Sequence, residues 1–338
     1  MAQSPGFHAE FAPAAPLGRL PRAPLRLSCV VPAYNEQESL APFVQALAGS
    51  ARALTPDFEI LVVNDGSRDA THEVAMQLLQ TLPLRYLALS RNYGKEAALS
   101  AGIDHARGNV VLLIDADFQH PLELLASMRD LWLQGYDMVY GVIADRAFES
   151  SAKRLGTHLY YRLVNSGNSV KMPPHAGDFR WMDRKVVDAL KALPERNRFM
   201  KGLYAWVGFK TVALPFVPGH RMSGQTSFTL RRLSALALLG LTSFTTLPLR
   251  VWSVMGFGVA LAALAYGAWI TLRTLLFGAD VAGWSTLAAG IMLFSGVQLM
   301  SIGILGEYIG RIYEKVKQRP RYLIARDEDR SPLRGDAP

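Results

Sequence analysis

Two aspartates one residue apart, Asp115 and Asp117, follow a short apolar stretch, and Gln119 lies two residues further on. Carboxylate and amide oxygens are the ligands that hard cations such as Mg²⁺ and Mn²⁺ prefer, and these ions often bridge a protein carboxylate to substrate phosphates. The alternative is a pair of loop aspartates that cap the helix expected to begin near Pro121. Taken alone, the cluster favours neither interpretation.

Three more polar clusters follow earlier apolar stretches of the chain. They are Pro32, Tyr34, Asn35 and Glu36 after the first stretch, Asn64, Asp65, Gly66 and Ser67 after the second, and Arg91, Asn92 and Lys95 after the third. Each cluster alone is ordinary loop chemistry. Open α/β sheets bind ligands at the carboxyl ends of their strands, so four clusters at one edge favour a metal and phosphate site.

The elements that would position these clusters alternate between strand and helix. The predicted strands are Leu27–Val31, Phe58–Val63, Arg85–Leu89 and Val110–Ile114, with Asp137–Tyr140 as a candidate fifth strand. The predicted helices are about Ser39–Leu47, Ala70–Leu79, Lys95–Ala106 and Pro121–Gln134. This alternation is typical of βαβ units, and the nearly continuous apolar strands predict a parallel sheet covered on both faces.

Two long runs without charged residues, Val251–Leu272 and Val281–Gly306, lie in the last third of the chain. Each exceeds the roughly 20 residues that a helix needs to cross a bilayer. Basic residues concentrate on the outer flanks of the pair, which by the positive-inside rule predicts that both flanks are cytoplasmic. The alternative is a pair of helices buried in a soluble core. The preceding stretch, Leu233–Leu249, is uncharged but contains Thr, Ser and Pro, and we interpret it as a helix in the membrane interface.

The chain has 338 residues, a formal net charge of +8 and one cysteine, Cys29, so it cannot form an intramolecular disulfide. The sequence lacks the motifs of several other functional classes. No Gly-x-Gly-x-x-Gly follows the first strand, Gly94-Lys95 is followed by Glu96 instead of the Ser or Thr of a phosphate loop, and no His/Cys cluster has zinc spacing. A basic charge alone fits nucleic acid, but no nucleic-acid-binding motif is present and we expect no such partner. Residues 1–26, rich in Ala and Pro, predict a flexible tail without a signal peptide.

Four motifs resemble those of family 2 glycosyltransferases of GT-A fold. They are Val31-Pro-Ala-Tyr-Asn-Glu36, Val62-Val-Asn-Asp-Gly-Ser67, Asp115-Ala-Asp-Phe-Gln-His-Pro121 and Ala176-Gly-Asp-Phe-Arg180. The segment Arg198–Gly208 and the apolar pair further resemble the polyprenyl-phosphate branch, which includes dolichyl-phosphate mannose synthases and bactoprenol glucosyltransferases. The resemblance covers about residues 27 to 320.

The resemblance implies an α/β, Rossmann-like GT-A catalytic domain with a mostly parallel sheet, then an interfacial helix and a two-helix transmembrane hairpin. The implied segments are a tail at 1–26, the catalytic domain at 27–230, the interfacial helix at 231–249, spans at 250–273 and 281–306, and a basic cytoplasmic tail at 307–338. These segments place a multi-pass protein in the bacterial inner membrane with a cytoplasmic catalytic domain.

The resemblance also assigns roles to individual residues. It implies nucleotide-sugar binding by Pro32, Tyr34, Glu36, Asp65, Asp115, Arg221 and Ser223, a Mg²⁺ or Mn²⁺ site at Asp115, Asp117 and Gln119, catalytic roles for Asp117 and Asp178, and contact of Lys153 and Arg154 with the acceptor phosphate. Relatives often have a basic residue where this chain has Ile143, and Arg146 is the expected substitute. Whether Asp178 is a base or orients the sugar stays open.

The implied reaction is inverting, metal-dependent transfer of a hexose, with glucose as first choice, from a nucleotide-sugar such as a UDP-sugar to polyprenyl (undecaprenyl) phosphate. The product would serve modification of cell-envelope glycans such as lipopolysaccharide. The implied partners are the donor, the lipid, the membrane and further copies of the chain, with a tetramer as one form. Two alternatives stay open: a processive polysaccharide synthase, and a non-catalytic membrane scaffold that keeps a nucleotide-binding fold.

Overall fold

A computed structural model describes residues 22–144, 176–195, 198–219 and 283–335, and six single positions between 258 and 276. The strands in chain order are β1 Leu27–Ala33, β2 Phe58–Asn64, β3 Leu84–Leu89, β4 Val110–Leu113, β5 Met138–Ile143, β6 Ala176–Asp183, β7 Thr211–Phe216 and β8 Ile324–Asp329. The helices are α1 Leu40–Leu54, α2 Thr71–Leu78, α3 Lys95–His105, α4 Leu124–Leu133, α5 Arg184–Ala192, α6 Met200–Trp206 and α7 Trp284–Val316, followed by a 3₁₀ turn at Pro332–Gly335.

The first four strands confirm the predicted βαβ pattern. In the sheet β1 lies between β2 and β4, with both pairings parallel, and β2 pairs in parallel with β3. All seven residues of β2 are buried, as expected for a strand covered on both faces. On one face of the sheet Cys29 and Val31 belong to the same apolar cluster as the buried residues of α1. On the other face Val30 contacts α3. A side chain at Gly102 of α3 would lie 2.1 Å from Val30, so the close approach of helix and strand requires glycine.

The sheet is mostly parallel, as predicted: six of its eight described strands run in one direction, and only β6 and β8 run against them. Within the described residues its strand order is β7-β5-β6-β4-β1-β2-β3-β8. β6 runs antiparallel between β4 and β5, and β8 runs antiparallel beside β3. The candidate strand near Asp137 is confirmed as β5. β6 is not among the predicted strands, because the sequence at its start, with Pro173-Pro174 and Gly177, is typical of a loop.

The C-terminal segment contributes a strand to this sheet. The described residues form two compact units, one that holds the sheet together with Pro320–Pro338 and one that holds α7. The sequence predicted only a basic tail after residue 306. In the structure α7 continues to Val316, and β8 forms one edge of the sheet. The other proposed domain limits stay predictions.

Among the residues that the structure describes, no helix is both long enough and apolar enough to cross a membrane. The predicted interfacial helix at 231–249, and most of the first predicted span at 250–273, lie outside the described residues. Residues 284–306 of the predicted second span belong to α7.

Candidate active site

The predicted site residues of the first half lie at the carboxyl edge of the sheet. Ala33, the last residue of β1, pairs with Asn64, the last residue of β2, and Val30 pairs with Leu113, the last residue of β4. The loops that leave β1, β2 and β4 therefore begin at neighbouring points.

A half-buried lysine at the start of α3 joins the loop after β4 to β6. The Lys95 ammonium lies 2.8 Å from an Asp115 carboxylate oxygen and 3.0 Å from Asp178 Oδ2. Lys95 is the first residue of α3, Asp115 follows β4, and Asp178 lies within β6. The structure thus brings together Asp115 and Asp178, 63 residues apart, around a cation that the resemblance did not assign.

The electrostatics of this cluster favour the charged forms. Burial opposes the charge on Lys95, but the carboxylates of Asp178 and Asp115 outweigh it and raise the pKa of Lys95. Burial likewise opposes ionisation of Asp115, yet Lys95 and the His120 ring, whose Nε2 lies 3.6 Å from Asp115 Oδ2, hold its pKa below the usual range. The other oxygen of Asp178, Oδ1, is buried and accepts no hydrogen bond within the described part of the chain. Its capacity to accept a hydrogen bond is therefore not used within these residues.

Asp65 fixes the loop between β3 and α3. Its two carboxylate oxygens accept the backbone N–H groups of Tyr93 at 2.7 Å and Gly94 at 2.8 Å. Burial nevertheless raises the pKa of Asp65, because the two hydrogen bonds only partly offset the loss of water. The next residue, Gly66, has φ +66°, and a side chain there would meet the backbone of Arg91 at 2.4 Å. Asp65 thus holds the loop that presents Lys95, while its role at the nucleoside stays a prediction.

The loop after β1 is tied to the loop after β2. Asn35 has φ 56°, in the left-handed region that Asn tolerates. Its N–H donates to Ser67 at 3.0 Å, and its side-chain oxygen accepts from the N–H of Arg68 at 2.9 Å. Glu36 accepts the hydroxyl of Ser39 and donates its N–H to Thr71 at 2.9 Å. Tyr34 remains 42% exposed, so its ring is available for stacking.

Hydrogen bonds and a ring contact hold the loop after β4 in place. Asp117 is 9% exposed and accepts the N–H of Gln119 at 3.1 Å, while Phe118 between them has φ 59°. The carbonyl of Gln119 accepts the N–H of Gly219 at 3.1 Å. The next side chain, His120, stacks on Phe179 of β6 with ring centroids 4.8 Å apart.

The oxygen ligands at this edge fit a divalent cation that is bound partly by the protein and partly by a substrate. Mg²⁺ typically takes one or two carboxylates and completes its shell with water and phosphate oxygens. Asp115 and Asp117 are such carboxylates, Gln119 offers an amide oxygen, and in the described residues no group of three or more His, Cys, Asp or Glu converges as an all-protein cage. Lys95 holds a positive charge against Asp115, which shows that this position favours a cation.

The predicted contacts to the acceptor and to the donor-closing loop lie outside the described residues: Arg146, Lys153, Arg154, Arg221 and Ser223. Sequence reasoning placed Lys95 at a strand end but gave it no role, and it missed Glu96 and Arg180. The pKa of Glu96 is raised to about 7, by burial first and then by Asp178. Arg180 is 2% exposed on β6, two residues from Asp178.

An α/β domain with acidic strand-end loops and a basic residue at one sheet edge is the architecture of the GT-A glycosyltransferases. Residues 28–191 match the family model described as glycosyl transferase family 2, and residues 247–312 match the model described as the GtrB C-terminal hairpin. The chain belongs to glycosyl transferase family 2 and is a glycosyltransferase, so the non-catalytic alternative is excluded.

Relatives align along almost the whole chain. The chain is 44% identical over 302 residues to an uncharacterized glycosyltransferase of Synechocystis sp., covering 89% of this chain and 95% of that protein. It is 42% identical over 309 residues to a prophage-derived bactoprenol glucosyl transferase of Shigella flexneri, covering 91% of this chain and 100% of the relative. A prophage bactoprenol glucosyl transferase homolog of Escherichia coli K12 is 42% identical over 303 residues, covering 89% and 99%.

Proposed function

We propose that this protein transfers a hexose, glucose first, from a UDP-sugar to polyprenyl phosphate at the cytoplasmic face of the bacterial inner membrane. The product would be a polyprenyl-phosphate sugar for modification of cell-envelope glycans such as lipopolysaccharide. The observation that carries the proposal is the Lys95, Asp115 and Asp178 cluster at the carboxyl edge of the sheet. The named activity of the Shigella and Escherichia relatives supports the choice of acceptor and sugar.

The chemistry needs no strong base. The nucleophile is an oxygen of the acceptor phosphate, whose second pKa lies near about 6, so it is largely dianionic at neutral pH. The larger demand is to stabilise negative charge on the departing nucleoside diphosphate. Lys95 is close enough to the acidic edge to contribute a positive charge there, and Asp178 would orient the sugar through its free Oδ1. A single displacement of this kind inverts the anomeric centre.

A divalent ion, Mg²⁺ or Mn²⁺, would be held by Asp115, Asp117 and Gln119. When bound, it would neutralise charge on the diphosphate as a Lewis acid. Pro32, Tyr34, Glu36 and Asp65 are proposed to hold the nucleoside, with Arg221 and Ser223 closing over the donor phosphates. The exposed ring of Tyr34 supports the first of these assignments.

The acceptor side of the proposal depends on the membrane. We assign Lys153, Arg154 and Arg146 to the lipid phosphate, 231–249 to the interface, and 250–273 and 281–306 to a hairpin that anchors the enzyme beside its lipid. The match of residues 247–312 to a hairpin model supports this assignment. Small residues in these segments would allow close helix packing and a homo-oligomer, with a tetramer as one form.

The direct test is to incubate the purified full chain with UDP-glucose, undecaprenyl phosphate and Mg²⁺ in detergent, and to analyse the lipid fraction by mass spectrometry. We expect one hexose per lipid phosphate, no product with EDTA, and restored product when Mg²⁺ or Mn²⁺ is returned. Parallel reactions with other nucleotide-sugars define the donor. A lipid that carries many sugars would instead identify a processive synthase, and no glycolipid from any donor would refute the proposal.

A further inference from the structure

Strand β6 contains an irregularity at the residue that reaches Lys95. In the antiparallel pair of β5 and β6, Tyr140 is opposite Arg180, and Val142 is opposite Ala176. Between these two pairs β5 advances by two residues and β6 by four, so β6 carries two extra residues within Gly177–Phe179. Bulges of this kind bend a strand and re-aim side chains, and they occur frequently beside active sites. Asp178 lies in the middle of this bulge.

A buried arginine stabilises the bulge from within the protein. Arg180 is 2% exposed, and its Nε donates a hydrogen bond of 3.1 Å to the carbonyl of Gly177. That carbonyl belongs to the peptide group whose nitrogen is the backbone nitrogen of Asp178. The guanidinium carbon lies 4.1 Å from the ring centroid of Tyr204 and 5.0 Å from that of Tyr140. The two rings and the hydrogen bond fix the orientation of the guanidinium.

This arrangement is costly for a side chain with only a packing role. Burial of a charge is unfavourable unless it is paired, and within the described residues no carboxylate forms an ion pair with Arg180. An apolar side chain of similar volume would fill the same space without that cost. What the guanidinium provides, and an apolar side chain cannot, is a rigid donor to the Gly177 carbonyl.

We propose that Arg180 is a positioning residue for glycosyl transfer: it fixes the Gly177–Phe179 bulge and thereby aims Asp178 at Lys95 and the reacting sugar. The inference rests on the proposed function, because it requires a role for Asp178 at the sugar. Arg180 itself is too buried to contact substrate.

The test is a double-mutant cycle on the full chain between Arg180→Lys and Asp178→Asn, measured as the steady-state rate of lipid glycosylation over a range of donor concentrations. Lysine keeps the charge but lacks the planar donor group. We expect Arg180→Lys to lower kcat by about 10- to 100-fold, because a displacement on the order of 1 Å is enough for such a loss, with the donor KM changed less than about twofold. In the Asp178→Asn background the same substitution should cost less than about threefold, because the two residues act as a unit.

The matched control is Arg198→Lys. Arg198 is 4% exposed and donates to the backbone carbonyls of Leu190 at 2.9 Å and Leu193 at 3.1 Å, but it does not contact the bulge. We expect a comparable loss of thermal stability with kcat within about twofold of the wild type. If Arg198→Lys lowers kcat as strongly as Arg180→Lys, the effect reflects general loosening and the proposal is wrong. An equal loss from Arg180→Lys in both backgrounds also overturns it.

Two further measurements separate failure of this inference from failure of the proposed function. Amide hydrogen exchange in 176–180 should be faster in Arg180→Lys than in Arg198→Lys, whatever the enzyme's substrate; equal rates overturn the inference alone. If Asp178→Asn turns over like the wild type, the role of Asp178 and this inference both fail. Should Arg180→Lys not fold, Tyr140→Leu removes one of the two flanking rings from a half-buried position, and its smaller loss of kcat must likewise vanish in the Asp178→Asn background.

Discussion

Two clusters of basic and acidic side chains on the same sheet differ in how completely their groups are paired. In one, Lys95 lies between Asp115 and Asp178 at the carboxyl ends of the strands. In the other, Arg85 of β3 lies beside Asp327 and Asp329 of β8, with Arg107 on the far side of Asp329. In each cluster a cation lies between two aspartates: Asp115 and Asp178 in the first, Asp327 and Asp329 in the second.

The Arg85 cluster is closed. Arg85 donates to Asp327 from Nε at 2.9 Å and from Nη2 at 2.7 Å, and to the carbonyl of His105 from Nη1 at 3.1 Å. All three guanidinium nitrogens are thus used, and the side chain is only 8% exposed. Such a two-point pair is geometrically specific, and none of the Arg85 nitrogens is left to bind a ligand. It ties the C-terminal strand to the sheet.

The Lys95 cluster is open. The Lys95 side chain is 45% exposed, it binds through a single ammonium group, and Asp178 retains a buried oxygen without a hydrogen bond in the described structure. A compact ammonium on a flexible stem can move when a ligand arrives, which a rigid guanidinium fork cannot do as easily. The comparison indicates that a structural cluster satisfies all its groups internally, whereas a functional one leaves groups for its substrate.

The largest expected effect comes from the open cluster. Asp117→Asn and Asp115→Asn keep the size of each side chain but remove a carboxylate from the proposed metal site. We expect each substitution to lower the rate of lipid glycosylation at saturating donor by at least about 100-fold, because charge stabilisation at the leaving group supplies much of the catalysis in such sites.

The control for this experiment is the same change in the closed cluster, Asp327→Asn. It should leave the rate within about twofold of the wild type, since surface changes away from the site have small effects. Equal losses from Asp117→Asn and Asp327→Asn would remove the functional distinction between the two clusters.

Removal of the cation from the closed cluster should instead affect folding. Arg85→Gln leaves Asp327 and Asp329 as neighbouring carboxylates without their common partner. We expect the free energy of unfolding at pH 7 to fall by about 2 kcal/mol, less than the cost for a fully buried pair because the Asp327 side chain is 38% exposed. Urea unfolding of the full chain measures this change. An unaltered midpoint would mean that β8 is held by its backbone ladder and not by its charges.

The two clusters also differ in how far the sequence predicted them. The strand ends that carry Asp65 and Asp115 were predictable, because β1, β2 and β4 are continuous apolar runs and parallel strands place their carboxyl ends at one edge. Strand β8 was not predictable. Its sequence, Ile-Ala-Arg-Asp-Glu-Asp, is typical of a solvated tail. It becomes a strand by pairing with β3, where Arg85, 242 residues before Asp327, also binds it.

The bulge in β6 was hidden for a related reason. Gly177 and the prolines before it are typical of a loop, and only pairing with β4 and β5 makes the segment a strand. Local propensity is a weak guide wherever a tertiary contact decides the structure. The convergence of Lys95 on Asp178 depends on that pairing, so the sequence supplied the acidic edge of the site but not its cationic centre.

A third prediction concerns Glu96, the neighbour of Lys95, whose pKa is raised to about 7 by burial and by Asp178. A carboxyl with a folded pKa above its unfolded value adds stability that is complete below the unfolded value, near 4.5, and is lost as pH rises through about 7. We expect the wild type to lose on the order of 2 kcal/mol of stability from this group between pH 4.5 and 7. Glu96→Gln, which keeps an acceptor for the N–H of Met200, should lack that loss.

The measurement is urea unfolding of both proteins at several pH values across this window. Glu38→Gln is the matched control, because Glu38 is an exposed glutamate in the loop before α1. It should keep the pH dependence of the wild type. Parallel curves for the wild type and Glu96→Gln would show that Glu96 ionises normally in the folded protein.

The smallest expected effect belongs to the closed cluster. Its contribution to stability increases with pH, whereas that of Glu96 decreases. The hydrogen bonds from Arg85 hold the pKa of Asp327 below its usual value; at Asp329, bonds from Ser331 and Arg107 outweigh burial to the same end. A carboxyl with a lowered folded pKa adds stability above its unfolded pKa that disappears as pH falls through the folded value.

Asp327→Asn should therefore cost about 0.5–1 kcal/mol at pH 7, because Asp327 is partly solvated, and the cost should vanish below about pH 3. Unfolding curves of variant and wild type at pH 7, 5 and 3 measure it, and a cost that stays constant across this range would show that shape, and not charge, holds β8 at the sheet edge.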